Sequence, residues 1–473
     1  MLARFKRWAE SRRQLRAAHP LSRKQRGVAM LVVLTWLALM ISLIADFTYG
    51  TSVDAAQAAN ARDELRAHYL ARSGVNLSRL LIMIQQRFID PVMGQVQTMV
   101  SQATGSQTGN TGANAGSASS SSALGMLGLS LRVTDYAGPL MGFFSGSKDE
   151  VEGLGGLIGI NTGGIKGLGL KSGHFDAEIT AEDGKININC GGGVTSDKNK
   201  QLIVYRLLTA LMYSRRFDRL FSDADTTGQF AVRSEVARAI IDWADADDQM
   251  FSPEGASSSE DYRYDARADK YRAHDNYYDT VEEVKMVKGV SDGFMEAFQP
   301  FLTVYASDPN CKVNVAAITN KNGGDCTPLV MALVRAAATA DPNQPPTDPS
   351  ILDDANLYPR ASLACDRASA AGFDSLDTMV NIIQNPQTSV LPDDPRYKVF
   401  QSLRPIQINK GELAKLAYTG SPRVYRIVAT GESGRVKKKI TAIVDTGRTL
   451  DNPLTLNPAS EQAAGVLQYW REE

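Results

Sequence analysis

Between Asp242 and Asp265 the stretch DWADADDQMFSPEGASSSEDYRYD sets eight carboxylates against one arginine, Arg263. Carboxylates crowded in this way repel one another unless water solvates them or a cation bridges them, and an all-oxygen donor set favours a hard ion such as Ca²⁺. The spacing is not that of an EF-hand: counted from Asp245, position six is Met250 and position twelve is Ala256. A second near miss, DADTTGQFAVRSE at 223–235, has Gly228 at position six but Glu235 at position thirteen. Most charge runs are solvated loops. Here the run follows an apolar helix end and surrounds Trp243, so Asp245, Asp247, Asp248, Glu260 and Asp261 stand as candidate cation ligands.

Other chemistry is sparse. The four cysteines, Cys190, Cys311, Cys326 and Cys365, form no CxxC pair, which argues against a zinc ribbon. In an oxidising compartment an even number suggests disulfides with three connectivities; Cys311–Cys326 is the shortest closure, and Cys190–Cys311 would tie two similar strands together. The expectation is Cys311–Cys326. His19, His68, His174 and His274 belong to no HExxH, no GxSxG is present, and the glycines of VEGLGGLIGINTGGIKGLGL (151–170) lack the GKS or GKT of a phosphate loop. No enzyme is expected. TVEEVKMVKGVSDGFMEAFQPFL (280–302) has the form of a helix-hairpin-helix turning at Lys288-Gly289-Val290. Such a hairpin can bind phosphates, but Lys285 and Lys288 stand alone in an acidic body, so a packing module is expected and nucleic acid is not.

The elements that must position these residues begin with the charge distribution. The 473 residues hold 51 Lys/Arg and 52 Asp/Glu, a net charge of −1. Nine of those cations and one acid fall in residues 1–27, leaving residues 28–473 at −9. A basic head before an acidic body fits a cytoplasmic N-terminus and an exported body.

Behind the head, QRGVAMLVVLTWLALMISLIADF (25–47) has no charge from Val28 to Ala45, and eighteen helical residues rise about 27 Å, enough to cross a hydrocarbon core. A signal-peptidase cut after Ala45 would put Leu43 at −3, a poor site. The segment DAAQAANARDELRAHYLARSGVNLSRLLIMIQQRF (54–88) continues as a helix, with Leu70, Ser73, Leu77, Leu80 and Ile84 on one face.

Basic residues, then Gly27, then an apolar helix resemble the type III signal of type IV pilins and pseudopilins. In that class a prepilin peptidase cuts after the glycine, here between Gly27 and Val28. AHYLARSGVNLSRLL (67–81), EDGKININ, AIIDWADADDQ, YDTVEEVKMVKGVSDGFMEAFQPFLTVY and KVNVAA are similar to minor pseudopilin K of the type II secretion system. Most pilins carry Glu at the fifth mature position, and Val32 stands there instead. An unpaired charge in lipid is costly, so the apolar residue suits a subunit with no neighbour above it, as in the K-type. The resemblance implies a non-catalytic inner-membrane subunit at the tip of a periplasmic pseudopilus, which starts or caps the fibre. It implies minor pseudopilins I and J and other pseudopilins as partners, prepilin peptidase as processing enzyme, contact with secretin or exported substrates, and Ca²⁺ at the acidic run. A type IV pilus minor pilin or an exported DNA-uptake protein using the 280–302 hairpin are the other readings.

The expected fold is α+β: a pilin-like long N-terminal helix packed on an antiparallel sheet, with large helical insertions of helix-hairpin-helix or SAM-like kind. The divisions are a leader (1–27), a transmembrane half-helix (28–49), its periplasmic continuation (50–90) and a Gly/Ser loop (95–130). Core strands follow at 131–195, including a hairpin at 174–190 about Asp183-Gly184, then an inserted helical domain at 196–310. A core strand (311–322), a second helical region (323–390), C-terminal core strands (391–450) and a tail (451–473) complete the chain.

Overall fold

In the computed structural model, residues 23–90, 132–145, 173–194, 196–222, 232–253, 273–305, 308–320, 324–339, 346, 348–447 and 465–473 are described. The Gly/Ser loop, the Gly-rich stretch 151–170, most of the leader and the 254–265 half of the acidic run lie outside them. The chain divides into two units, one made of residues 1–66 with 434–436 and one of 67–433 with 437–473.

Helix α1 runs without interruption from Arg23 to Ile84 and ends in a π turn, Gln85–Ile89. Its residues from Val28 to Ala45 are exposed, uncharged and mostly apolar, and it is the one described helix long and apolar enough to span a membrane. Starting at Arg23, it extends upstream of the Gly27–Val28 bond.

In the second unit the face of α1 that packs is Leu70, Ala71, Gly74, Val75, Ser78, Leu81 and Ile82. Ser73 and Leu80, assigned to the packed stripe from spacing alone, are exposed. The physical reason is that the contact is made by small residues: alanine, glycine and serine let the helix backbone approach a sheet more closely than leucines would. Ser78 Oγ satisfies itself on the Gly74 carbonyl at 2.8 Å.

The sheet has four strands in the order β1-β6-β7-β8: β1 His174–Ala181, β6 Val424–Ser433, β7 Val436–Asp445 and β8 Val466–Glu472. Strands β6 and β7 form the expected hairpin, turning at Gly434-Arg435 with Gly434 at φ +61°. Strand β8, antiparallel to β7, occupies a segment read from sequence as tail. Helix α2, Val133–Ser145, stands where core strands were expected, and its Val133, Ala137 and Met141 join Phe175, Ile179, Ile427 and Ala442 in the sheet–helix core.

No hairpin forms at 174–190. Ala181 of β1 pairs with Tyr425 of β6, so residues between two hydrogen-bonded neighbours make up the whole helical body. The Asp183-Gly184 turn instead sends the chain away. Asp183 accepts the Arg423 and Val424 amides at 2.6 and 2.9 Å, fixing the exit point against the return point. Glu182 beside it is fully buried, accepting from Lys185 at 2.9 Å and Arg426 at 2.7 Å.

The body contains two parallel strand pairs. Strand β2 (Ile186–Asn187) pairs with β3 (Leu302–Thr303), and β4 (Val313–Asn314) pairs with β5 (Ala417–Tyr418). Between β2 and β3 lie α3 (Lys198–Met212), α4 (Asp218–Ser222), α5 (Arg233–Asp242), a 3₁₀ turn (Val281–Met286) and α6 (Asp292–Phe298). Between β4 and β5 lie α7 (Thr327–Ala338), α8 (Asp354–Ala371), α9 (Leu376–Gln384), α10 (Pro395–Ser402) and α11 (Lys410–Leu416). The last two are helices in a region read as strands. The helices start where side chains cap free amides: Asp197 for α3, Ser291 for α6, Asp353 for α8, Ser375 for α9 and Asn409 for α11. Helices α3, α5, α7, α8 and α9 share one apolar core.

The 281–298 segment is a helix-hairpin-helix whose first helix is 3₁₀, with Gly289 at φ +85° in the turn. Its Val284, Val287, Phe294, Met295 and Phe298 are buried in that core. Lys285 faces Asp292 at 3.2 Å.

Candidate metal centre in the inserted domain

The end of α5 positions the acidic run. Asp242, in the last turn, accepts the Phe251 amide at 2.6 Å and folds 243–251 back on itself. Trp243 is buried, with Nε1 on Glu283 at 3.0 Å, and His274 Nδ1 lies 3.2 Å from the same oxygen. Two glycines let the neighbouring segment come against this turn. A Cβ on Gly192 would lie 2.4 Å from the Ala244 carbonyl oxygen, and Gly193, at φ +81°, donates to that carbonyl at 2.8 Å and bridges to Asp245.

The result is a carboxylate in an unusual setting. Asp245 is 2% exposed. Its Oδ2 accepts Gln201 Nε2 at 2.7 Å, and its Oδ1 is buried with no hydrogen-bond partner among the described residues. Burial, followed by the charges of Asp242, Asp247 and Asp275, pushes its carboxyl up to about 8 despite the Gln201 donor. Asp247 accepts the Gln249 amide at 2.9 Å and lies 3.4 Å from Ser196 Oγ; it and Asp248 are both exposed.

Of the five candidate ligands, then, Asp245 and Asp247 are neighbours, Asp248 points outward, and Glu260 and Asp261 lie outside the described residues. Among the described residues no three of His, Cys, Asp or Glu are arranged as a metal cage. The chemistry of the site nevertheless fits a hard cation: an orphaned buried carboxylate oxygen and mutually repelling acids are what a divalent ion would satisfy. Sequence reasoning missed Gln201, Asp275 and Gly193. Asp242 and its neighbours were visible as a charge run, whereas nothing in KNKQLIVYRLL marks Gln201 as a partner for an acid 44 residues away.

The cysteines correct the expected pairing. The bonds are Cys190–Cys311 and Cys326–Cys365, with Cα–Cα distances of 5.5 and 5.6 Å. Cys311–Cys326 closure loses because Cys326, just before the first residue of α7, lies against α8, which carries Cys365, so that Cys311 is left to Cys190. The first bond closes the neck of the 190–311 segment.

A long apolar N-terminal helix, an antiparallel sheet and large helical insertions define a pilin-like α+β protein, with one segment suited to single-pass membrane anchoring. Residues 185–307 match the family model of the type II secretion system (T2SS), protein K. The resemblance to minor pseudopilin K read from the sequence is borne out in this domain, which is inserted between β1 and β6. Among solved structures, the GspK-GspI-GspJ complex from the enterotoxigenic Escherichia coli type 2 secretion system is similar at 11% identity and a TM-score of 0.38, covering 64% of this chain and 81% of that one. A likeness at this level adds nothing to the fold described above. No curated protein matches the chain by sequence.

Proposed function

We propose that this chain is a minor pseudopilin at the tip of the type II secretion pseudopilus, where it initiates or caps the fibre and supports protein export across the outer membrane. The observation that carries this reading is the protein K match over residues 185–307, located on the body inserted between two paired core strands. A fibre of stacked pilin-like subunits needs each one to leave room for the next. A subunit whose sheet carries so large an insertion is hard to stack upon and suits an end. Val32 at the fifth position after Gly27 supports the same placement, since no acidic side chain is present there to meet a following subunit.

Prepilin peptidase cleaves between Gly27 and Val28, the apolar part of α1 anchors the chain in the inner membrane, and the N-terminus is cytoplasmic with the acidic body in the periplasm. The partners are minor pseudopilins I and J and the other pseudopilins, with secretin or exported substrates met at the tip. The role is structural and not catalytic. The acidic turn holds Ca²⁺ through Asp245 and Asp247, with Asp248, Glu260 and Asp261 as further carboxylates; the ion would neutralise their repulsion. Co-expression with minor pseudopilins I and J provides the test. A stable three-subunit complex, and loss of pseudopili when this chain is deleted, is expected; no complex together with normal fibres would overturn the reading.

A further inference from the structure

We propose that the outer edge of β8 receives a β-strand from a neighbouring pilin-like subunit anchored in the same membrane. This rests on the pseudopilin reading above and adds to it a site and a mode of contact.

Strand β8 ends one side of the sheet, and among the described residues no strand lies beyond it. The register shows which of its backbone groups are unused. Lys439 and Glu473 exchange both backbone hydrogen bonds, at 3.1 and 2.8 Å, and so form a hydrogen-bonded pair. In an antiparallel ladder such pairs alternate, which makes Thr441–Arg471 and Ile443–Tyr469 bonded pairs as well. The N–H and C=O of Trp470 and Glu472 therefore point away from β7, towards the place of a further strand. An edge of this kind is a template for strand addition.

The side chains leave that edge open. Natural edges are guarded by lysines, prolines or unpaired charges. Residues 466–472 include no lysine or proline. Their charges are engaged within the chain: Arg471 pairs with Glu473 at 2.9 Å, while Glu472 lies 3.7 Å from His68 of α1 and accepts Trp470 Nε1 at 2.8 Å. With its N–H satisfied, Trp470 is still 36% exposed, and Leu467 is 39% exposed. Both stand opposite residues of the sheet–helix core, Ala442 and Val444, and continue that face of the sheet uncovered. An incoming strand with an apolar side chain beside Trp470 would extend the core by a cross-strand pair.

The direction of β8 selects the occupant. Arg79 Nη2 donates to the Gly465 carbonyl at 3.0 Å and His68 faces Glu472, so β8 runs antiparallel to α1. A strand added antiparallel to β8 runs along α1, as β1 does. Subunits anchored in one membrane by their N-terminal helices stand with those helices parallel, and a neighbour of this fold offers a β1-like edge in the required direction. The contact is heterologous, one edge meeting the opposite edge of the next subunit. A second copy joined β8 to β8 in antiparallel pairing would invert one α1, which a shared membrane forbids.

The test is hydrogen–deuterium exchange at single-residue resolution on the full chain in detergent, alone and co-purified with minor pseudopilins I and J. In the free chain the amides of Trp470 and Glu472 should exchange quickly and those of Tyr469 and Arg471 slowly. In the complex the first two are expected to slow by about tenfold or more. Glu472→Pro removes an outward N–H and spares the bonds to β7, so it is expected to weaken the complex by about tenfold at a nearly unchanged melting temperature. Glu472→Ala, which keeps the N–H, is expected to bind as wild type. A complex that forms with Trp470 and Glu472 still exchanging quickly, or undiminished in the folded Glu472→Pro variant, would overturn the proposal and leave the pseudopilin reading standing. Protection of the two amides that rises with the concentration of this chain alone would assign the edge to a second copy and likewise overturn it. Failure to form any complex would remove both.

Discussion

Gly431 of β6 lies so close beneath helix α1 that a Cβ placed on it would come within 2.1 Å of the Ala67 carbonyl oxygen and 2.5 Å of the Ala71 nitrogen. The obstructing atoms are helix backbone, which cannot rotate aside. Gly431→Ala is therefore expected to force the helix off the sheet and to cost about 1–3 kcal/mol or more, as overpacking does. Chemical denaturation of the folded body checks this. Ala442→Val, buried in the same sheet–helix core, provides an overpacking control.

Glu182 gives the body a defined acid limit. Burial opposes its ionisation, but Lys185 and Arg426 overcome that and hold it down at about 2. A carboxylate whose folded value lies below its unfolded value stabilises the fold above the unfolded value, and that contribution is lost as pH falls through the folded one. Stability should accordingly decline from about pH 4.5 towards pH 2, by roughly 3 kcal/mol from this group. Glu182→Gln, leaving two cations facing a neutral amide, is expected to be less stable at pH 7 and to lose this part of the pH dependence. Melting curves at half-unit pH intervals would show both effects.

Asp245 has the opposite sign. Its folded value of about 8 lies above the unfolded one, so stability present at low pH is lost as pH rises from about 4 towards 8 in the absence of metal. Calcium at millimolar concentration is expected to restore it near pH 7.5; a hundredfold excess over Kd contributes about 2.7 kcal/mol. Asp245→Asn removes the buried charge. The variant should melt at or above wild type without calcium and gain little when calcium is added. A wild-type melting temperature that ignores calcium would remove the ion from this site.

The two disulfides differ in the chain length they close, with sequence separations of 121 and 39. In the loop-entropy description their contributions are about 5 and about 4 kcal/mol. Replacing Cys190 and Cys311 together by alanine is expected to cost more than replacing Cys326 and Cys365. Non-reducing peptide mapping of the wild-type chain should find these two pairs and no Cys311–Cys326 peptide.

What the sequence disclosed depended on how local the signal was. The apolar helix, the hairpin turning at Gly434-Arg435 and the helix-hairpin-helix are encoded within a few tens of residues by charge gaps, alternation and a glycine turn, and each is present. The 174–190 hairpin looked equally local, with Asp183-Gly184 between two alternating runs. It fails because β1 takes its partner from β6, far along the chain, and Asp183 binds the returning amides at 423 and 424. The face of α1 was misread by one position because leucines were weighted over the small residues that set the closest approach. Strand β8 gave little warning, since an edge strand with exposed Trp470, Arg471 and Glu472 has no clear alternation. At the acidic turn the carboxylates were visible, but the burial of Asp245 depends on Gln201 and Gly193 from another segment.

The most direct measurement is the N-terminus of the membrane-extracted chain, by intact mass and Edman sequencing, from cells with and without prepilin peptidase. A mature chain beginning at Val28 only when the peptidase is present is the expected result for a pseudopilin. A chain beginning at Met1 in both strains, or at a cut beyond the apolar run, would contradict it.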